Sequence, residues 1–240
     1  MSEAESGYLL CWKLHEGAKK TIENTQPLKN IVYSLVEPYQ NQGYILYMDR
    51  FYSTLPIARE LLDMGFGCVG AIMRNRLNIT DEMKKEIDKL KRHESLFYIY
   101  KSSLMLTCWK DSKIVHVIST FGEDLLSTVT RNGKDNEGNY CRKEVDCPEI
   151  IKSYINNAKG VDLLDQMIGY YEAKNRSRKW CLRLVLHFLQ VAAHNSFLIH
   201  RWETGSQINY LEYLKSIVKS LVYEIRLRKY LIFTPGKKKK

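Results

Sequence analysis

The sequence predicts a mixed α/β protein whose last third is helical. Two short apolar runs, GYILYMD (43–49) and CVGAIM (68–73), are typical of strands, and the helix-like stretch LPIARELLDMGFG lies between them. GYILYMD is continuously apolar up to its final acid, which predicts a buried central strand. Two long helical patterns follow after residue 175. This order of elements predicts a sheet-containing body followed by helices.

The elements before residue 76 are predicted from local patterns. GYLLCWKLH (7–15) mixes aromatic and apolar residues and predicts a strand. The apolar spacing in QPLKNIVYSLVEPY predicts a short helix that ends near Pro38. LPIARELLDMGFG has Pro56 in its first turn and glycine at its end, so it predicts the next helix.

From about residue 76 the sequence becomes more charged. TDEMKKEIDKLKRHE predicts an exposed helix, and SLFYIYKSSLMLTCWKDSKIVHVISTF predicts three strands broken at KSS and KDSK. NGKDNEGNY (132–140) predicts a loop. A helix is expected from about residue 161.

Residues 176–202 form a stretch apolar enough to raise a membrane span as an alternative. Four polar residues recur along it at helical spacing: Arg183, His187, Gln190 and His194. Such a polar stripe favours a buried helix of a soluble protein over a membrane span. A second amphipathic helix is predicted over about 207–231, with Ser206 as its N-cap.

The net charge of +10 is concentrated at one end of the chain. Residues 173–240 contain fifteen Lys or Arg and three Glu, a net charge of +12, whereas residues 1–172 carry a net charge of −2. This asymmetry predicts a polyanion-binding segment, most often for nucleic acid, attached to a nearly neutral body. A solvated helical surface with a lysine tail is the alternative explanation.

The six cysteines are scattered along the chain without a CxxC pair. Neither a zinc site nor a disulfide framework is expected from such spacing. Unpaired thiols are typical of a reducing, intracellular compartment.

The motif KGVDLLDQM (159–167) places Asp162 and Asp165 three positions apart, and therefore on one face of the predicted helix. Asp49 ends the run YILYMD, where a desolvated carboxylate would need a partner or a metal ion. Carboxylates from strand ends and helix starts hold the divalent cations of many DNA-cutting enzymes. Capping of a turn by Asp49 and of a helix by Asp162 is the alternative.

Four stretches, in order along the chain, resemble the piggyBac transposase family. YMDRFYSTLPIARELLDMGFGCVGAIMRNR is similar to the aspartate signature of that family, and VISTF resembles its Ser-Thr strand. AKGVDLLDQM resembles its Gly-Gly-Val-Asp-x-x-Asp-Gln motif, with Lys159 in place of the first glycine. SRKWCLRLVLHFLQVAAHNSFLIHRW resembles the tryptophan-containing helix that follows, including Asn195. The resemblance extends over about residues 7–202.

The resemblance implies an RNase H-like α/β core with an inserted α+β domain and C-terminal helices. Residues 1–75 and 149–172 would form the core, with an incomplete first strand, and residues 76–148 would form the insertion. Residues 173–235 would be a basic helical segment that binds DNA, and residues 236–240 a lysine tail.

The resemblance also implies the residues of a site. Asp49 and Asp162 would be catalytic and would hold Mg²⁺ or Mn²⁺ in an active protein, with Asp165 as an accessory acid. Double-stranded DNA, as transposon ends or as A/T-rich target, would be contacted by Arg74, Arg76, Lys174, Arg178, Lys179 and Trp180. A solvated turn would also explain Arg74 and Arg76, and core packing would also explain Trp180.

One position departs from the family pattern. The first catalytic aspartate of the family ends the opening strand shortly before a Gly-Tyr, and Glu3 occupies that place in SEAESGYLL. A residue this close to a chain terminus is expected to be loosely positioned, which makes Glu3 a weak catalytic candidate. The opening strand, the N-terminal DNA-binding part and the Cys/His-rich finger of the family are missing, which suggests a fragment or a decayed or domesticated descendant.

The resulting prediction is a nuclear, transposase-derived protein that binds DNA with degenerate or absent catalysis. An active, metal-dependent DDE transposase that cleaves and transfers DNA strands is one alternative. An interaction remnant that binds no DNA is another. A homodimer is compatible with the resemblance, whereas neither a membrane nor a small-molecule substrate is expected as a partner.

Overall fold

The computed structural model describes residues 1–14, 27–100, 104–134, 139–172 and 178–233. The chain divides into two compact units. Unit 1 consists of Met1 and Cys11–Lys159, and unit 2 consists of Ser2–Leu10 and Gly160–Lys240. Each unit has its own clusters of buried apolar side chains.

The described part of unit 1 contains helices and strands in the predicted alternation. Its helices are α1 (Pro27–Val36), α2 (Leu55–Asp63), α3 (Asp81–Asp88) and α4 (Glu149–Asn157). Its strands are β1 (Ile45–Met48), β2 (Gly67–Ala71), β3 (Ser95–Tyr100), β4 (Leu104–Lys110), β5 (Ile114–Ser119), β6 (Leu126–Lys134) and β7 (Tyr140–Pro148). The helices predicted for the first 95 residues are confirmed as α1, α2 and α3.

Strands β1 to β5 form one mixed sheet in the order β1-β2-β5-β4-β3. β1 and β2 are parallel, with Ile45 opposite Gly67, and the other neighbours are antiparallel. The parallel pair is connected through α2, because parallel strands need a crossover. The three strands predicted in the stretch that begins SLFYIY are confirmed as β3, β4 and β5.

β1 lies at an edge of this sheet, so the prediction that it is a buried central strand is wrong. Its only strand partner among the described residues is β2. Ile45 is 46% exposed, whereas Met48 at the other end of β1 is buried. An apolar run indicates that a strand contacts a core, but it does not determine how many strands lie beside it.

The sheet continues across residue 76, where the resemblance implied a boundary between core and insertion. β2 precedes this position and β5 follows it, yet Ala71 pairs with Val117. β6 and β7 form a separate two-stranded antiparallel ladder. The division into core and insertion therefore separates strands that share hydrogen bonds, and it stays a prediction.

The loop predicted over 132–140 is strand at both of its ends. β6 continues to Lys134 and β7 begins at Tyr140, because these two residues pair with each other in the ladder. Residues 135–138 lie outside the described residues. Glycine and asparagine favour turns, but the pairing of the two flanking segments extends the hairpin further than composition indicates.

The strand predicted over 7–15 is wrong, since the structure has only an isolated bridge between Ser2 and Leu9 in this region. The pattern of apolar residues favours a strand, but a strand also needs a neighbour. The backbone groups of Leu9 are instead bonded to the side chain of Asn195. His15 lies outside the described residues.

The described part of unit 2 contains the helices α5 (Gly160–Tyr170), α6 (Trp180–Thr204) and α7 (Tyr210–Phe233). Gly205 ends α6 in the left-handed conformation, with φ of 64°. Asn209 caps α7, since its Oδ1 accepts the N–H of Glu212 at 2.9 Å. The prediction that Ser206 is the N-cap is wrong, because its Oγ accepts the N–H of Ile208 before the helix begins.

α6 is largely exposed, so the prediction of a buried helix is wrong for most of its length. By length and composition α6 could cross a membrane, with a mean hydropathy of 1.2, and 22% of that apolar window is buried. His194 is buried at 1% exposure, whereas Val185 and Leu189 are 55% and 61% exposed. The predicted polar stripe therefore does not coincide with the exposed face of α6, because one of its residues is buried while apolar residues elsewhere on the helix are exposed. The choice of a soluble helix over a membrane span stays a prediction.

A buried serine anchors the turn that follows β1. Ser53 is fully buried, and its Oγ donates to the carbonyl of Asp49 at 3.0 Å, with the carbonyl of Met48 at 3.3 Å. Gly70 of β2 lies directly against this side chain. A Cβ at Gly70 would overlap the Ser53 Oγ and lie 3.1 Å from the Ser53 Cβ. This close approach requires glycine at position 70.

We expect Gly70→Ala to lower the free energy of unfolding by about 1–3 kcal/mol, because the added methyl group displaces Ser53 from its hydrogen bonds. Gly133→Ala is the matched control in a strand, since its Cβ would meet only the Lys143 side chain, at 3.5 Å or more. Urea unfolding of the two variants measures the difference. Equal stability of both variants would contradict the packing of Ser53 on Gly70.

Candidate functional site

Asp49 lies on the surface immediately after β1. Its backbone carbonyl closes a turn by accepting the N–H groups of Tyr52, at 3.0 Å, and Ser53, at 3.1 Å. The side chain is exposed, so the argument that a desolvated carboxylate needs a partner does not apply, and that part of the prediction is wrong. Asp49 is instead an oxygen donor that a cation in solvent can reach.

Arg76 holds the loop that follows Asp49. Its Nη1 donates to the carbonyl oxygens of Phe51 at 2.7 Å, Arg50 at 3.2 Å and Ser53 at 3.4 Å. One nitrogen of the guanidinium thus contacts three carbonyl oxygens of the loop. The family resemblance implied that Arg76 contacts DNA, but its side chain contacts the backbone of its own chain.

Arg74 forms a two-point ion pair with Asp88, at 2.5 and 2.7 Å. The hydrogen bonds from Arg74 hold the pKa of Asp88 below its ordinary value. Both side chains are exposed, and exposed pairs of this kind add little net stability. Arg74 and Arg76 therefore both have partners within the protein, which is compatible with the alternative of a solvated turn.

The carboxylate of Glu3 is occupied by its own turn. Its Oε1 accepts the N–H of Glu5 at 2.9 Å, and its Oε2 accepts the N–H of Ser6 at 2.7 Å together with the Ser6 hydroxyl. Burial raises the pKa of Glu3, but these hydrogen bonds outweigh it, and the pKa lies below its ordinary value. Glu3 is therefore held in position, contrary to expectation, with both oxygens directed at its own loop.

The backbone around Glu3 packs on the start of α5. Gly7 has φ of 75°, and a Cβ there would lie 2.9 Å from the backbone nitrogen of Leu164. A Cβ at Gly160 would overlap the carbonyl oxygen of Glu3. Glycine is required at both positions, at Gly7 for its backbone conformation and at Gly160 for the close approach. The glycine of the KGVDLLDQM motif thus has a packing role.

Asn195 attaches the N-terminal segment to α6. Its Oδ1 accepts the N–H of Leu9 at 3.0 Å, and its Nδ2 donates to the Leu9 carbonyl at 2.9 Å. A side-chain amide can do this because it carries both a donor and an acceptor. The sequence contained Asn195 within a family motif but gave no indication of its partner, which lies 186 residues away.

Asp162 lies in the first turn of α5 and Asp165 nearly one turn later, and both are exposed. The helix predicted from about residue 161 is confirmed, and the spacing puts the two carboxylates on one face. The first turn of a helix favours a carboxylate through the helix dipole, but Asp162 lies inside α5 and accepts no hydrogen bond from the described residues, so the capping explanation is wrong. Within unit 2 the structure brings the start of α5 together with the turn of Glu3, whereas Asp49 belongs to unit 1.

The four candidate acids, Asp49, Asp162, Asp165 and Glu3, differ in whether their carboxylates accept hydrogen bonds. Among the described residues, the carboxylates of Asp49, Asp162 and Asp165 make no hydrogen bond or ion pair. Carboxylate oxygens are the donors that Mg²⁺ and Mn²⁺ prefer, so each of these side chains has the chemistry of a ligand for such an ion. Glu3 differs from them, because both of its oxygens accept hydrogen bonds from its own turn. In the described part of the chain, no group of three or more His, Cys, Asp or Glu side chains is arranged to hold a metal.

Arg178, Lys179 and Trp180 are exposed at the start of α6. Trp180 is 65% exposed, so the alternative that core packing explains this residue is wrong. Lys174 lies outside the described residues. The two cationic side chains can contact phosphate groups, and the exposed aromatic ring beside them can stack on a base.

Comparison with known proteins identifies the family. A family model described as transposase IS4 matches residues 1–197. Human PiggyBac transposable element-derived protein 2 is 23% identical over 177 residues, 72% of this chain and 30% of that protein. Human PiggyBac transposable element-derived protein 3 is 24% identical over 190 residues, 77% of this chain and 31% of that protein. The chain therefore belongs to the piggyBac-type transposase family, and it spans about a third of the length of these curated relatives.

The fold is similar to that of a solved transposase. The cryo-EM structure of a piggyBac transposase synaptic complex with hairpin DNA matches with a TM-score of 0.76 and 21% identity, over 97% of this chain and 47% of that chain. This likeness supports the mixed α/β fold. The family resemblance of the motifs is confirmed, while the RNase H-like core with its insertion stays a prediction.

We expect Glu3→Gln to lower the melting temperature at about pH 7, because the amide loses charge-assisted hydrogen bonds from the turn. The folded-state pKa of Glu3 is lowered. Its contribution is therefore fully present above the unfolded-state pKa and is lost as the pH falls through the folded-state pKa.

Melting curves of the wild-type chain and Glu3→Gln over a range of pH measure this contribution. Glu5→Gln is the control, since it removes a neighbouring exposed carboxylate. The gap between wild type and Glu3→Gln should close at acid pH, while the control stays near wild type. A gap of constant size would contradict the role given to the ionised Glu3 side chain.

Proposed function

We propose that this chain is a transposase-derived protein that binds DNA and whose cleavage site is incomplete. The observation that carries the proposal is the Glu3 turn. Glu3 stands at the position of the first catalytic aspartate of the family. Both carboxylate oxygens of Glu3 accept hydrogen bonds, from Glu5 and Ser6. A carboxylate held by its own turn cannot move toward a distant metal site without losing these hydrogen bonds.

The proposal gives the remaining acids the role of a residual site. Residues 1–75 and 149–172 would form the RNase H-like core, and Asp49, Asp162 and Asp165 would provide its carboxylates. DDE transposases generally use divalent metals. A bound Mg²⁺ or Mn²⁺ would supply charge stabilisation for phosphoryl transfer. Asp49 and Asp162 would hold that ion, with Asp165 as an accessory acid, and the engaged Glu3 would leave the ligand set incomplete.

We assign the DNA contact to the basic helices of unit 2. The net charge of +12 in residues 173–240 supports this assignment, as do the exposed side chains of Arg178, Lys179 and Trp180. The similar transposase structure is a complex with hairpin DNA. Lysine and arginine neutralise phosphates whatever the base sequence, so the binding should depend on salt. A nuclear location and a homodimer belong to the same proposal.

An active DDE transposase is the second candidate function. The observation that favours it is the exposure of Asp49, Asp162 and Asp165, whose carboxylates have no partner among the described residues. This candidate needs an acid other than Glu3, or a Glu3 side chain released from its turn, to complete the site.

We expect the purified chain to bind a short DNA duplex with an affinity that falls as salt rises. Arg178→Glu/Lys179→Glu should weaken binding about tenfold or more and reduce the slope of log Kd against log salt by about 2, since two phosphate contacts are lost. Fluorescence anisotropy at several salt concentrations measures both quantities.

The matched control is Lys89→Glu/Arg92→Glu, which makes the same change in net charge at two exposed positions of unit 1. This control should retain most of the affinity and an unchanged salt slope. Equal losses in both double variants would contradict a localised contact. No DNA affinity in the wild-type chain would favour the interaction remnant.

A further inference from the structure

Two aromatic side chains project from the loop that follows Asp49. Phe51 is 51% exposed and Tyr52 is 36% exposed. Their rings meet edge to face, with centroids 5.1 Å apart. Exposed apolar rings lose the stabilisation that burial would give, and polar residues would serve a turn as well. The exposed pair is therefore a candidate contact surface.

The backbone that carries the two rings is fixed on both sides. The carbonyl of Asp49 accepts the N–H of Tyr52, and the next residue, Ser53, is fully buried. Arg76 bonds the carbonyl of Phe51 at 2.7 Å. The backbone positions from which the two rings project are therefore fixed. A contact surface that is ordered before binding loses little entropy when it binds.

The charges around the pair indicate the chemistry of a ligand. Arg50 directly precedes Phe51 and is exposed. Arg76 keeps its positive charge while its donors engage the loop. Aromatic rings beside arginine bind single-stranded nucleic acid, because the ring stacks on a base while the cation attracts the phosphate. In a paired duplex both faces of a base are covered by its neighbours, so the fit is to an unpaired nucleotide.

We propose that Phe51 and Tyr52 bind an unpaired nucleotide of a DNA strand, and that Arg76 is the positioning residue that holds their loop. This inference rests on the proposed DNA binding and adds a contact of another kind. Arg178 and Lys179 would bind phosphates of paired DNA, whereas the Phe51–Tyr52 pair distinguishes unpaired from paired DNA. It also changes the role of Arg76, which the family resemblance implied to be a direct DNA contact.

Two duplexes of one sequence test the aromatic pair, one fully paired and one with a single unpaired 2-aminopurine. We expect the wild-type chain to prefer the second duplex about tenfold and to quench the 2-aminopurine fluorescence by stacking. Phe51→Leu/Tyr52→Leu should abolish the preference and the quenching, and should bind the paired duplex like wild type. Both rings are exposed, so this variant should fold.

Tyr44→Leu is the matched control for the aromatic pair. Tyr44 is also 51% exposed, lies next to the other end of β1 and meets another ring, that of Tyr39. A preference that survives in Phe51→Leu/Tyr52→Leu, or that is lost equally in Tyr44→Leu, would overturn the proposal. A wild-type chain that binds both duplexes equally would overturn it too, and leave the proposed DNA binding intact. No affinity for either duplex would count against both.

Arg76→Lys separates positioning from direct contact. Lysine keeps the charge but carries it on a flexible, strongly hydrated ammonium in place of the planar guanidinium, so we expect the preference for the unpaired nucleotide to be lost with an unchanged salt slope. A direct phosphate contact would instead survive in Arg76→Lys, and Arg76→Gln would reduce the salt slope by about 0.9. That result would overturn the positioning role. Melting curves show whether each variant is folded, and Arg74→Lys serves as the control for the neighbouring arginine.

Discussion

The arrangement of unit 2 depends on the two hydrogen bonds between Asn195 and Leu9. They attach the segment Ser2–Leu10 to α6, and glycines at positions 7 and 160 then let its backbone lie on the start of α5. With the backbone fixed in this way, the Glu3 carboxylate turns back on its own loop and accepts its N–H groups. The same contacts that order this segment therefore direct the Glu3 carboxylate at its own turn.

Local patterns predicted the elements whose formation depends on neighbours in sequence. α2 with Pro56 in its first turn, the strands β3 to β5 and the start of α5 all follow from periodicity and turn residues. The misassigned elements depend on distant partners. β1 is an edge strand because only β2 lies beside it among the described strands. In the described part of the segment 7–15 only the isolated bridge between Ser2 and Leu9 forms, and the backbone of Leu9 is bonded to the Asn195 amide of α6.

In the candidate site, too, features set by neighbours in sequence were predicted and features set by distant partners were not. Helical spacing was enough to put Asp162 and Asp165 on one face, and the family motif located Asp49 at a strand end. The roles of Arg74 and Arg76 could not be predicted, since their partners are Asp88 and the carbonyls of residues 50–53. The prediction that Asp49 is buried was also wrong, because Asp49 lies in the exposed turn after β1, beyond the buried Met48. The sequence thus located the site residues, whereas the hydrogen-bond partners and the exposure of each side chain could be determined only from the structure.

The proposed incompleteness of the cleavage site is tested most directly by a strand-cleavage assay. Purified chain is incubated with Mg²⁺ or Mn²⁺ and a duplex that carries a transposon end, and the strands are separated on a denaturing gel. The incomplete site predicts neither a nick nor a hairpin under conditions in which the chain binds the duplex. Metal-dependent nicking by the wild-type chain that disappears in Asp49→Asn would contradict it.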